Sequence, residues 1–225
     1  MHSECLPKEG VKVLKRLNHI IKIHRFILAG GTAVAIHLGH RMSEDLDFFT
    51  EQRFSTDEIL QEIKQQKLDF SLLQEEKDTL TGIIENTKVS MFYYPYPFIE
   101  KCIHWHNISI AHLLDIASMK VIAISQRGAK RDFIDLYFIL RSIPFRKIAD
   151  NMLLRFGPER INPVHIGKSL VYFHDAETDP DPRYCAGNET DWHLIKNFFI
   201  GHVQQLVLDL ERAKKDFHTE LISSI

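Results

Sequence analysis

The sequence predicts an α+β fold, a sheet with flanking helices followed by a C-terminal helical part. Short apolar runs of strand length alternate with amphipathic stretches through residue 94. From Ala111 onward only helical periodicity continues, and Pro144 separates the last helices from the rest. With 225 residues, 44% of them hydrophobic, the chain can bury a sizeable core as one large domain or two small ones. The residue before a proline is biased away from helix, so the division is placed at Pro144, giving residues 1–143 and 144–225.

Residues 8 to 22 set Val11, Val13, Leu14, Leu17, Ile20 and Ile21 among Lys and Arg, which predicts an amphipathic helix. Arg25 to Leu28 is a short β-like run, Gly30-Gly31 permits a tight turn, and Thr32 to Leu38 reads as helix. A second strand carries Asp45 and Asp47. Ser55-Thr56-Asp57-Glu58 is a capping signal for a helix through Lys67. Phe70 to Leu73, Thr79 to Glu85 and Thr87 to Tyr94 read as strands, with Asn86 turning the last pair. Pro95 and Pro97 are expected to end the sheet. A long apolar helix from Ala111 to Gln126 is broken by Gly128, and another runs from about Lys130 to Arg141. Thr178-Asp179-Pro180-Asp181-Pro182 is a polar loop, and Trp192 to Thr219 is a closing helix.

The chemistry concentrates between Phe26 and Thr50. Residues two apart on a strand share a face, so Asp45 and Asp47 point the same way while Leu46 and Phe48 pack into the sheet. Two carboxylates about 7 Å apart along a strand repel each other unless a cation joins them. Mg²⁺ (or Mn²⁺), a hard oxygen-seeking ion that also binds substrate phosphates, is the expected metal, with Asp45 and Asp47 as its ligands. The turn at Gly30-Gly31 leaves free N–H groups and a positive helix end where the phosphates of an NTP could sit. Thr32 offers a hydroxyl, either to a phosphate or as a helix cap.

The net charge of −2 provides no global attraction to nucleic acid, so contact with RNA would rest on local patches. Arg127, Lys130, Arg131, Arg141, Arg146 and Lys147 are candidates, and equally an ordinary solvated face. Cys5, Cys102 and Cys185 are scattered without metal spacing, which favours a reducing compartment. The opening MHSECLPKEG has no apolar signal core, and no apolar run approaches membrane-spanning length. The expectation is a soluble cytoplasmic protein.

The spacing Ala29-Gly30-Gly31, thirteen intervening residues, then Asp45-Leu46-Asp47-Phe48 resembles the polymerase-β-type nucleotidyltransferase superfamily. More narrowly, the chain is similar to the AbiEii/AbiGii toxin-like nucleotidyltransferases. Their pattern is matched by Gly30-Gly31-Thr32-Ala33, by His40-Arg41-Met42-Ser43-Glu44-Asp45-Leu46-Asp47-Phe48-Phe49, and by Lys120 ahead of Arg131-Asp132-Phe133-Ile134-Asp135-Leu136-Tyr137. Ser169 to Glu177 and a helix from Trp192 extend the likeness, which spans roughly residues 20 to 200. It implies a small mixed sheet with flanking helices, a nucleotidyltransferase core, and a C-terminal helical part.

The resemblance also directs attention to a second group of residues. Lys120 has Ile116, Ala117, Ala123 and Ile124 as helical neighbours, so it either reaches solvent or aims into a pocket. Asp132 and Asp135 share a helix face; the plain reading gives Asp132 to the helix start and Asp135 to Arg131. Similar enzymes use an aspartate of this helix with the lysine, and spacing from Lys120 favours Asp135, then Asp132. Ser43 corresponds to a position that similar enzymes use near the phosphates, and it is also an ordinary strand-start serine. Many polymerase-β-type enzymes have a third carboxylate on a later strand. Here Ser90 stands where an acid is expected, and Glu85, Asp69 and Asp78 sit in no matching frame. Three outcomes stay open: Asp135 substitutes, one metal suffices, or the chain is impaired.

The resemblance implies transfer of a nucleoside monophosphate from an NTP to an acceptor hydroxyl such as the tRNA 3′ end, with restraint by a separately encoded antitoxin. The alternative is a nucleotide- or protein-binding module that retains the fold.

Overall fold

The computed structural model describes residues 1–223, with side chains described through Thr219. The chain forms two compact units, Met1–Pro97 with Lys101–His112, and Phe98–Glu100 with the chain from Leu113 onward. Pro144 lies inside the second unit, immediately before a helix.

In the first unit α1 (Lys8–Ile23) buries Val13, Leu14, Leu17, Ile20 and Ile21, the apolar stripe that its sequence spacing encodes. β1 (Ile27–Ala29), α2 (Gly30–Leu38), β2 (Leu46–Thr50), α3 (Thr56–Gln65), β3 (Phe70–Glu76), β4 (Thr79–Ile84) and β5 (Thr87–Tyr93) follow. Ser55 caps α3 by accepting from the Glu58 N–H at 3.4 Å. Glu85 and Asn86 both have positive φ, 47° and 65°, as the two-residue turn of a tight hairpin requires.

Pro95 and Pro97 do not end the sheet, because β6 (Ile103–Trp105) and β7 (Ile108–Ile110) come after them. Both are three residues long, too short for period-two alternation to register, and they turn at His106 and Asn107 with φ of 50° and 64°. The sheet has seven strands in the order β3-β4-β5-β2-β1-β7-β6. It is mixed: β1 and β7 are parallel, as are β2 and β5, and the other pairs are antiparallel. One face, with Leu28, Leu46, Phe48, Val89 and Met91, is fully buried. The other carries the candidate site.

The second unit is built from α4 (Leu113–Arg127), α5 (Lys130–Leu140), α6 (Phe145–Phe156), α7 (Pro163–Leu170), α8 (His174–Glu177) and α9 (Trp192–Ser223). Phe133 forms an aromatic centre with Phe173, Trp192 and Phe199 at centroid distances of 5.2, 5.9 and 5.5 Å. Asp115 explains why Phe98–Glu100 belongs to this unit. Its buried carboxylate accepts from the N–H groups of Ile99 and Glu100, at 3.3 and 3.0 Å, and from Asn151 Nδ2 at 3.0 Å. Among the described residues no helix is long and apolar enough to cross a membrane.

Candidate active site

Asp47 occupies a position that two elements define together. β1 and β2 pair so that Ala29 lies opposite Asp47, and the chain then turns at Gly30 into α2. Gly30 has φ of +65°, and a Cβ built on it would stand 2.8 Å from Asp47 Oδ2. Only glycine accommodates both the left-handed backbone and the carboxylate beside it. Ala29 gives α2 no side-chain cap. The first-turn N–H groups of Gly30, Gly31 and Thr32, with the positive end of the helix dipole, therefore sit beside the Asp47 carboxylate.

Helix α2 begins at Gly30, two residues earlier than the sequence suggests, so Thr32 lies inside its first turn. The Thr32 hydroxyl is buried and hydrogen-bonds Ser43 Oγ at 2.8 Å and the carbonyl oxygen of Asp45. A carbonyl only accepts and a hydroxyl carries one proton, so Thr32 donates to Asp45 and takes the proton of Ser43. Ser43 precedes β2 and is further held by its N–H bond to the Cys5 carbonyl at 3.0 Å. Together these bonds tie the segment carrying Asp45 onto α2. β2 starts at Leu46, one residue past Asp45, yet the alternation persists: Leu46, Phe48 and Thr50 are buried, while Asp45, Asp47 and Phe49 are half-buried.

The register also sets Ser90, where the resemblance leads one to expect an acid, beside Asp47. β2 and β5 pair in parallel with Asp47 opposite Ser90, and β4 continues the row with Thr81. Ser90 is 3% exposed. The neighbouring acids are engaged elsewhere: Glu85 pairs with Arg16 and Lys12, Asp78 binds Arg53 and the Phe54 N–H, and Asp69 is exposed in front of β3. The row through Asp47 thus carries the hydroxyls of Ser90 and Thr81.

Within the second unit Lys120 is 5% exposed, so it does not reach out to solvent. Its ammonium lies 2.8 Å from Asp132 Oδ1 and 2.6 Å from Asp135 Oδ2, both on α5 and both fully buried. Arg127 closes the far side of Asp132 through Nε at 2.8 Å and Nη2 at 3.2 Å. Burial pushes the Asp132 carboxyl upward, but Lys120 and Arg127 outweigh it and hold the group below the usual carboxylate range. Arg127, by sequence either part of a basic strip or an ordinary solvated cation, is instead tied to Asp132. The break expected at Gly128, with φ of +57°, turns the chain between the two residues, and helical spacing does not give the bond across it.

Two other residues of the basic strip, Lys130 and Arg146, are also paired with acids. Lys130 Nζ donates to the Asp179 carbonyl at 2.6 Å and to Asp181 at 3.1 Å, and Arg146 pairs with Asp150 and Asp216 at 2.9 and 2.7 Å.

Asp45 and Asp47 present oxygen ligands only, partly open to solvent beside a helix N-terminus. That donor set fits Mg²⁺ or Mn²⁺, which takes one or two carboxylates and completes its shell with water and substrate phosphates. Among the described residues no group of three or more His, Cys, Asp or Glu is placed to hold an ion.

The family model "Nucleotidyl transferase AbiEii toxin, Type IV TA system" matches residues 12–99 and 67–215 of the chain. An uncharacterized protein of Aquifex aeolicus (strain VF5) is 36% identical over 204 residues, covering 89% of this chain and 97% of the relative. Among solved structures, MenT4, the nucleotidyltransferase toxin Rv2826c from Mycobacterium tuberculosis H37Rv, superposes with a TM-score of 0.57 at 15% identity, covering 94% of this chain and 91% of that one. JHP933 from Helicobacter pylori superposes with a TM-score of 0.52 at 17% identity, covering 98% and 96%. The chain belongs to the AbiEii nucleotidyl transferase toxin family of type IV toxin–antitoxin systems, and is a nucleotidyltransferase.

Proposed function

We propose that this nucleotidyltransferase transfers an NMP from an NTP to a hydroxyl at an RNA end, such as the 3′ end of tRNA. An acceptor oxygen attacks the α-phosphorus, the bond to the bridging oxygen breaks, and pyrophosphate leaves. The observation that carries this reading is the Asp47 carboxylate held against Gly30 at the N-terminus of α2. A triphosphate bound to the first-turn N–H groups meets both carboxylates.

Asp45 and Asp47 would hold Mg²⁺, which supplies charge neutralisation and orientation of phosphate oxygens. Thr32 and Ser43 act one step back, fixing the Asp45 backbone. Gly30 and Gly31 present N–H groups to phosphate. The family pattern alone assigns Lys120 to neutralising phosphate charge; within the second unit Asp132 and Asp135 fix its ammonium. Phosphoryl chemistry of this kind depends mainly on positioning and electrostatics. On this reading the enzyme works in the cytoplasm, as the toxin of a pair whose antitoxin restrains it.

The test is incubation of the purified chain with each labelled NTP, Mg²⁺ or Mn²⁺ and total bacterial RNA. Label in small RNA, absent with Asp45→Asn, supports transfer to tRNA; label in protein alone contradicts the RNA acceptor. A second reading, a module that binds nucleotide without turnover, draws on Ser90 in the Asp47 row. NTP binding with no transfer to any RNA would favour it.

A further inference from the structure

The sheet face that bears Asp45 and Asp47 continues into a row of aromatic side chains. Phe49 follows Asp47 by two positions on β2, Phe92 follows Ser90 by two on β5, and the register sets Phe49 opposite Phe92. Their ring centroids are 5.3 Å apart. Tyr94 stands edge-on to Phe49 at 5.5 Å and Tyr96 edge-on to Tyr94 at 5.0 Å. The Tyr94 backbone is fixed by its N–H bond to the Thr50 carbonyl at 2.8 Å. All four rings are half-buried, whereas Phe48 and Met91, on the opposite face, are sealed in the core. Rings needed only for packing would gain from the same complete burial.

Strand order decides which substrate reaches this row. Gly30 and the α2 N-terminus flank Asp47 on the β1 side, while Ser90 and Phe92 flank it on the β5 side. Phosphates seated at Gly30 therefore leave the β5 side to the acceptor. Two strand residues, about 7 Å, separate the aromatic row from Asp47. On the other side of Ser90, Lys88 shares the face and is exposed, a cation for a backbone phosphate.

We infer that Phe49, Phe92, Tyr94 and Tyr96 form a stacking platform for an unpaired base at the 3′ end of the RNA acceptor. Aromatic side chains bind single-stranded bases by their π faces with little sequence demand. The inference rests on the proposed nucleotidyl-transfer role of Asp45 and Asp47, and its test separates the two.

The probe is a short single-stranded RNA with 2-aminopurine as its 3′-terminal base, whose fluorescence falls on stacking. It is titrated with the full chain, with Tyr94→Leu, with Tyr96→Leu and with Tyr94→Phe, each checked for folding by thermal unfolding. Quenching by the unmutated chain and Tyr94→Phe, lost in the two leucine variants, is expected. In the transfer assay the leucine variants should raise the KM for RNA roughly ten-fold and leave the KM for NTP unchanged. Absence of quenching, or equal quenching by Tyr94→Leu, overturns the platform. A raised KM for NTP with an unchanged KM for RNA also overturns it, since the stacked base would then be the nucleotide's. Tyr94-dependent quenching in a chain that transfers nothing keeps the platform and defeats the transfer reading.

Discussion

Asp47 rests its carboxylate against the Cα of Gly30, so that a Cβ at that position would lie 2.8 Å from Oδ2. The contact joins the end of β1, the start of α2 and the acidic strand in one place. It makes glycine a requirement of both backbone and site.

Gly30→Ala should therefore fail twice. The left-handed backbone costs about 1–2 kcal/mol with a Cβ present, and the methyl group displaces the Asp47 carboxylate. Thermal unfolding should show the first effect, and a transfer rate reduced far more than stability the second. Equal activity in the alanine variant would mean that Asp47 is not needed where it stands.

Thr32→Val keeps the volume of the side chain and removes the hydroxyl that bonds Ser43 and Asp45. Loss of these buried bonds should cost about 1–3 kcal/mol, read by chemical denaturation. Transfer should fall as well, because the Asp45 segment loses its tie to α2.

Lys120→Met leaves Asp132 and Asp135 buried beside a neutral side chain. Breaking a buried ion pair from one side costs about 3–5 kcal/mol, and denaturation midpoints should fall accordingly. Replacing Arg127, which is 55% exposed, should cost much less.

Asp132 titrates below the usual carboxylate range in the folded chain, burial being outweighed by Lys120 and Arg127. A carboxyl whose folded pKa is depressed adds stability above its unfolded pKa, about 3.9, and that stability is lost as pH falls through the folded value. Unfolding free energy should thus decline on acidification below about pH 4. Asp132→Asn should be less stable at neutral pH and show a flatter acid limb.

Much of this site could be read before the fold was known, because its signals are local. Leu46, Phe48 and Thr50 alternate with Asp45, Asp47 and Phe49, and period two alone puts the acids on one face. Gly30-Gly31 ahead of an apolar helix is equally local. What escaped depends on distant pairing or on turns. β7 joins the sheet through Leu28 and Ile110, residues far apart in sequence, and β6 and β7 are too short to show periodicity. Ser90 could be named as the residue in the acid's place, but only the β2–β5 register puts it beside Asp47. Arg127 reaches Asp132 around Gly128, a turn that no helical spacing describes.

If Asp45 and Asp47 carry nucleotidyl transfer, Asp47→Asn should nearly abolish it. Single-turnover transfer from labelled NTP to RNA should be measured with and without Mg²⁺, alongside thermal unfolding of the same samples. The rate should fall roughly 10²–10³-fold or more, with unfolding as cooperative as in the unmutated chain. Transfer at an unchanged rate and with unchanged metal dependence would contradict that role.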